Sequence, residues 1–124
     1  MLSNNQMVKA RKAIERLYNG TCTVFVQEEF EKDNGATSFR PVVVVKDEPC
    51  HLSFGNTTAT KEGEAAATVS QITELFISPD VDIAPGSKIT VTQNGVTTDY
   101  TRSGQPALYS THQQIVLELW KGWS

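Results

Sequence analysis

The chain has 124 residues, of which 39% are hydrophobic and 20% charged, and its net charge is −3. That length supports one modest core and excludes two domains, and no apolar run approaches the roughly 20 residues that a membrane-spanning helix requires. An acidic balance, with an isoelectric point near 5.3, argues against a dedicated nucleic-acid binder, because neutralising phosphates demands a basic surface.

Residues 1–7 carry neither the charged start nor the apolar stretch of a secretory signal, so the expectation is a chain that stays in the cytoplasm where it is made. Two cysteines far apart in sequence, Cys22 and Cys50, read in a reducing compartment as buried small hydrophobes rather than as a disulfide.

Residues 4–18 predict an amphipathic helix. Met7, Ala10, Ile14, Leu17 and Tyr18 recur at helical spacing, Ser3 to Asn5 offer caps, and Asn19-Gly20 supplies a stop. Its outer surface is basic, and Lys9, Lys12 and Arg16 share one face by their three-then-four spacing. That face either docks on an acidic partner or is a solvated helix surface, the commoner fate of a charge run.

From residue 20 the period changes to two. Cys22, Val24 and Val26 alternate with Thr21, Thr23 and Phe25, and an acidic stretch from Glu28 to Asp33 ends at the turn signal Asn34-Gly35. The chain then re-enters an extended run through Phe39 and Val42 to Val45, so residues 20–54 predict a hairpin with a long acidic tip. Pro41 and Pro49 bracket the valines and point to bends or an edge strand.

Residues 55–68 hold almost no side chain able to fill a core, and they outrun most connections within a domain, so they predict a long flexible loop. Residues 69–120 predict the remaining strands. One runs from Ile72 to Ile77 with apolar groups on both sides, as in a barrel wall that also touches something outside. After the turn at Pro85-Gly86, Lys88 to Gln93 and Val96 to Arg102 flank Asn94-Gly95, the plainest hairpin signal in the chain. In the closing strand Ile115, Leu117 and Leu119 face one way and Val116, Glu118 and Trp120 the other. The fold expected is therefore mainly β: a small six-stranded barrel or sandwich with one N-terminal helix and a long central loop.

Chemistry-bearing patterns are scarce. Neither His51 nor His112 stands in a metal-ligand spacing, and the cysteines have no Cys-x-x-Cys partner, so no metal or cofactor is expected. Ser110, His112 and Asp99 make a nucleophile, base and acid on paper only, without a Gly-x-Ser-x-Gly elbow. Phe25, Phe39, Phe54, Phe76, Tyr100 and Tyr109 are expected to pack in the core rather than stack bases. Trp120 and Trp123 lie at the end of the last strand, where tryptophan serves either an interface or the core.

Two stretches carry a family likeness. Ser78-Pro79-Asp80-Val81-Asp82-Ile83-Ala84-Pro85-Gly86-Ser87-Lys88-Ile89 looks like an acidic turn followed by a Pro/Gly-Asp-x-Ile step into a hairpin, with Ser87 where an acidic residue is common. Ala107-Leu108-Tyr109-Ser110-Thr111-His112-Gln113-Gln114-Ile115-Val116-Leu117-Glu118-Leu119-Trp120 is similar to a closing strand of pattern His-Gln-x-x-x-x-x-Leu. With these motifs, the order of parts resembles the head-closure and head-tail connector proteins of long-tailed phages, also called minor capsid proteins.

The resemblance implies a non-enzymatic virion subunit that forms a ring, typically dodecameric, at the head-tail junction. A portal or adaptor protein would lie on the head side and a tail terminator or tail-completion protein on the tail side. Packaged DNA would pass through the channel without sequence-specific binding. In such a ring the central loop, with Gly55, Asn56, Thr57, Thr58, Thr60, Lys61, Glu62, Gly63 and Glu64, would project into the channel. Lys9, Lys12, Arg16, Val43, Val45, Trp120 and Trp123 would supply interfaces, and Glu28, Glu29, Glu31 and Asp33 would face either the channel or water. Two other readings stand beside this one: a ring protein that completes or terminates the tail, and a small β-barrel module binding nucleic acid or peptide.

Overall fold

The computed structural model describes residues 3–59 and 68–123. The helix α1, Asn4–Glu15, opens with a reciprocal cap: the Gln6 N–H donates to Ser3 Oγ at 3.2 Å, and the Ser3 N–H donates to Gln6 Oε1 at 2.9 Å. It closes in tighter turns, with Leu17 N–H on the Ile14 carbonyl and Tyr18 N–H on that of Glu15. None of its described residues is fully buried, so α1 lies on the barrel rather than in it. Arg11 anchors it, donating to Asp80 at 2.8 Å and to Ser78 at 3.1 Å.

Among the described residues seven strands follow: β1 (Gly20–Glu31), β2 (Thr37–Ala59), β3 (Thr68–Ile77), β4 (Lys88–Gln93), β5 (Val96–Arg102), β6 (Ala107–Leu108) and β7 (Gln113–Leu119). All pairings are antiparallel, in the order β3-β2-β1-β4-β5-β7, and β7 pairs back onto β3 through Thr73↔Leu117 to Ile77↔Gln113. Six strands thus close on themselves, irregularly. The two-residue β6 pairs with Gln113 and Gln114 beyond the point where β5 leaves β7. The predicted β class holds, with a seventh short strand and closure in place of a two-sheet sandwich.

Alternation puts the core where the period-two reading expects it. Cys22, Val24, Cys50, Leu52, Leu75, Ile77, Ile89, Val91, Tyr100, Ile115 and Leu117 point inward, and Ile83 enters from the β3–β4 connection. Of the six aromatic residues expected in the core, only Tyr100 is fully buried. Phe39, Phe54 and Tyr109 are exposed, because each belongs to an outward-facing position or to a segment beyond the closed ring.

Turn chemistry matches the local signals. Asn94 and Gly95 take positive φ values of 53° and 77°, as a two-residue hairpin turn requires. Where the family-like motif has Ser87 instead of an acid, the buried hydroxyl donates to the Ala84 carbonyl at 2.7 Å and closes the Pro85-Gly86 turn. Gly20 is set by crowding: a Cβ there would stand 2.9 Å from the Thr92 carbonyl oxygen.

The largest departure concerns residues 55–68. Gly55 to Ala59 belong to β2 and pair with Ile72 to Thr68 of β3, so this part of the expected loop is strand. A hairpin arm outside a barrel has no core to fill, and strand pairing runs through the backbone, so a lack of core side chains does not exclude a strand here. Of the expected channel residues, the backbones of Gly55, Asn56, Thr57 and Thr58 are paired, whereas Thr60, Lys61, Glu62, Gly63 and Glu64 lie outside the described residues.

Candidate assembly surfaces

β2 is 23 residues long and outruns its neighbours at both ends. At one end β1 pairs with β4 only as far as Phe25↔Lys88, yet it continues with β2 to Glu31↔Thr37. At the other, β3 leaves β7 at Thr73, yet it continues with β2 to Ala59↔Thr68. Two two-stranded arms therefore leave the barrel from opposite ends of one strand.

In the β1–β2 arm, directly opposed residues share a face. One face carries Phe25 with Val43, Gln27 with Pro41, and Glu29 with Phe39. The other carries Val26 with Val42, Glu28 with Arg40, and Phe30 with Ser38. Arg40 is held on that second face, 5.0 Å from the Phe30 ring centroid and 3.3 Å from Glu28. The first face is open: Phe39 is 57% exposed and Val43 49%. Pro41 and Pro49 fall where β2 has a partner on one side only, the edge setting that proline tolerates.

Register shifts on either side of Val24 re-aim the valine run, with Asp47 at φ 49° and its N–H on Thr23 Oγ1. The consequence divides the expected interface pair: Val43 is exposed, whereas Val45 packs against the core.

Lys9, Lys12 and Arg16 are all exposed on α1. Arg11, by contrast, is half-buried and is the helix's anchor to Asp80. Beside the basic face, Ile14, Leu17 and Tyr18 overhang His51 and Phe76, leaving a shallow groove in which Leu17 is 70% exposed. The apolar outer side of β3 thus meets the chain's own helix in part. Burial, then the nearby Glu15, raises the Tyr18 hydroxyl above the usual tyrosine range.

Trp120 and Trp123 are half-buried and meet edge to face with centroids 4.6 Å apart, while Gly122 at φ 105° turns the tail back. They line a cleft at one barrel end with Val26, Pro85 and Leu119, so each serves local packing and an open surface together.

Three polar side chains, Gln93 and Gln113 buried and Arg102 half-buried, hold backbone groups across the barrel. Gln113 donates to the Ser78 and Val81 carbonyls, Arg102 donates to the Ile83 carbonyl at 2.7 Å, and Gln93 bridges to Leu52. The first two hold the β3–β4 connection across the barrel end. The thiols of Cys22 and Cys50 are both buried and free. A hydrogen bond to Cys50, and then burial, pushes the Cys22 thiol well above the ordinary range.

The catalytic trio available on paper is not assembled. Asp99 accepts from Thr90 at 2.7 Å and faces Lys88, whereas the His112 ring meets Thr111, Gln114 and Tyr109. Among the described residues, no three metal-ligating side chains converge, and no helix is long and apolar enough to cross a membrane.

No family model matches the chain, and no curated protein matches its sequence. Among solved structures, it is similar to the phage-like element PBSX protein xkdH from Bacillus subtilis, at 12% identity and a TM-score of 0.48, over 80% of this chain and 91% of that one.

Proposed function

We propose that this chain is a non-enzymatic structural subunit of a tailed phage that assembles head to tail with its own copies into a ring where head meets tail. The observation that carries this reading is the pair of arms at opposite ends of β2. An isolated two-stranded hairpin is marginal in water, so the arms gain by packing on a neighbour, most of all the β1–β2 arm with its exposed Phe39 and Val43. Arms that differ in sequence and leave from different ends suit a heterologous contact, in which one patch meets a different patch on the next copy. Such contacts close into rings when the rotation allows.

The head-tail placement rests on the order of parts and on the two motifs at residues 78–89 and 107–120. In this reading a portal or adaptor lies on the head side, a terminator or completion protein on the tail side, and DNA passes through the middle without being read. The β2–β3 arm, which carries Gly55 to Thr58, is the part that reaches toward the channel.

Electron microscopy of lysates from a phage lacking this gene tests the reading. Emptied heads beside finished, unattached tails are expected. Overlong tails would instead assign the chain to tail termination, and normal particles would contradict a connector role.

A further inference from the structure

Two surfaces of opposite charge stand apart on the chain, each beside exposed apolar side chains. On α1, Lys9, Lys12 and Arg16 are exposed, and among the described residues none of them enters an ion pair. On the β1–β2 arm the same holds for Glu29, Glu31 and Asp33. Leu17 lies beside the first set, and Phe39, directly opposite Glu29, beside the second.

Within one chain the two surfaces are held apart along β1. α1 leads into β1 at Gly20, and the arm ends at Glu31, roughly 35 Å further along the strand at about 3.3 Å per residue. Between copies they fit in spacing as well as in sign. Glu29 and Glu31 project from the same face of β1 about 7 Å apart, and Lys12 and Arg16 lie one helical turn apart, about 6 Å.

We propose that the β1–β2 arm of one copy docks on α1 of a second copy, with Glu29 and Glu31 facing Lys12 and Arg16 and Phe39 seated in the groove beside Leu17. This rests on the head-to-tail assembly proposed above and names its contact. The apolar pair supplies a desolvated centre, and the charges form a rim that sets register and steers approach. Because the arm is donor and the helix acceptor, each copy keeps one of each for its neighbours.

The test uses two charge-reversed full-length chains, one with Lys12→Glu and Arg16→Glu, the other with Glu29→Lys and Glu31→Lys, followed by sedimentation at low ionic strength. Each variant alone carries arm and helix of one sign and is expected to associate at least tenfold more weakly than wild type. An equimolar mixture restores both complementary contacts in alternation and is expected to assemble as wild type does. Wild-type chain that stays monomeric at every concentration would overturn head-to-tail assembly itself and this contact with it. Wild type that assembles while both variants alone assemble equally well, or a mixture that fails to recover, would overturn the arm-to-helix contact alone.

Discussion

The side chain of Gln93 stands in for a strand beside Leu52: its Oε1 accepts the Leu52 N–H at 2.8 Å, and its Nε2 donates to the Leu52 carbonyl at 3.0 Å. β1 begins at Gly20, paired on one side with Cys50 and on the other with Gln93, so beyond it β2 and β4 have no strand between them. One buried amide closes that gap. Truncation by Gln93→Ala leaves both Leu52 backbone groups without a partner, at about 1–3 kcal/mol for each buried group left unsatisfied. A urea titration is expected to show a clearly lowered midpoint, and an unchanged midpoint would mean that water replaces the amide without cost.

The same junction makes Gly20 intolerant of any side chain. Gly20→Ala would place a Cβ against the Thr92 carbonyl and 3.1 Å from Gln93 Oε1, the atom that holds Leu52. Overpacking here is expected to cost about 1–3 kcal/mol. Combined with Gln93→Ala, the penalty is expected to fall below the sum of the two, because one clash partner is gone.

The Cys22 thiol yields a pH dependence with a definite sign. Its raised value in the folded chain means that above about pH 8.5 the unfolded chain releases this proton while the folded chain keeps it. Stability is then fully present below that pH and falls above it, by about 1.4 kcal/mol per unit for one thiol. Denaturation between pH 8 and 10 is expected to show this slope in wild type and to lose it in Cys22→Ala. Native protein is also expected to resist alkylation at both cysteines until it unfolds.

Arg11 ties α1 to the turn after β3 but contributes little to the barrel. Asp80 is mostly exposed, so Arg11→Ala is expected to lower global stability by no more than about 1 kcal/mol. Hydrogen exchange is expected to speed up in α1 while β1, β4 and β7 keep their protection. Uniform acceleration across all elements would instead make the helix part of the cooperative core.

What the sequence disclosed was local. The helix, the Asn94-Gly95 hairpin and the inward alternation of Cys22, Val24, Ile115 and Leu117 each follow from spacing or turn chemistry within about ten residues. What it hid depends on partners far along the chain. Gln93 reads as an ordinary polar residue, and Gln113 only as the Gln of the closing-strand motif, until closure buries them against Leu52, Ser78 and Val81. Residues 55–59 lack core side chains and so read as loop, although β3 pairs with every one of them. Of the candidate surfaces, the basic helix face was legible from its three-then-four spacing. The division of Val43 from Val45 was not, since a bulge changes which way a valine points without altering the composition around it.

An electron cryo-microscopy reconstruction of the neck of particles encoding this chain would show whether its copies form the proposed ring between head and tail. The expected result is a closed ring in which each subunit is a six-strand barrel with two arms, one of them reaching the adjacent copy. A neck whose density admits no such barrel, or purified particles from which this chain is absent, would contradict it.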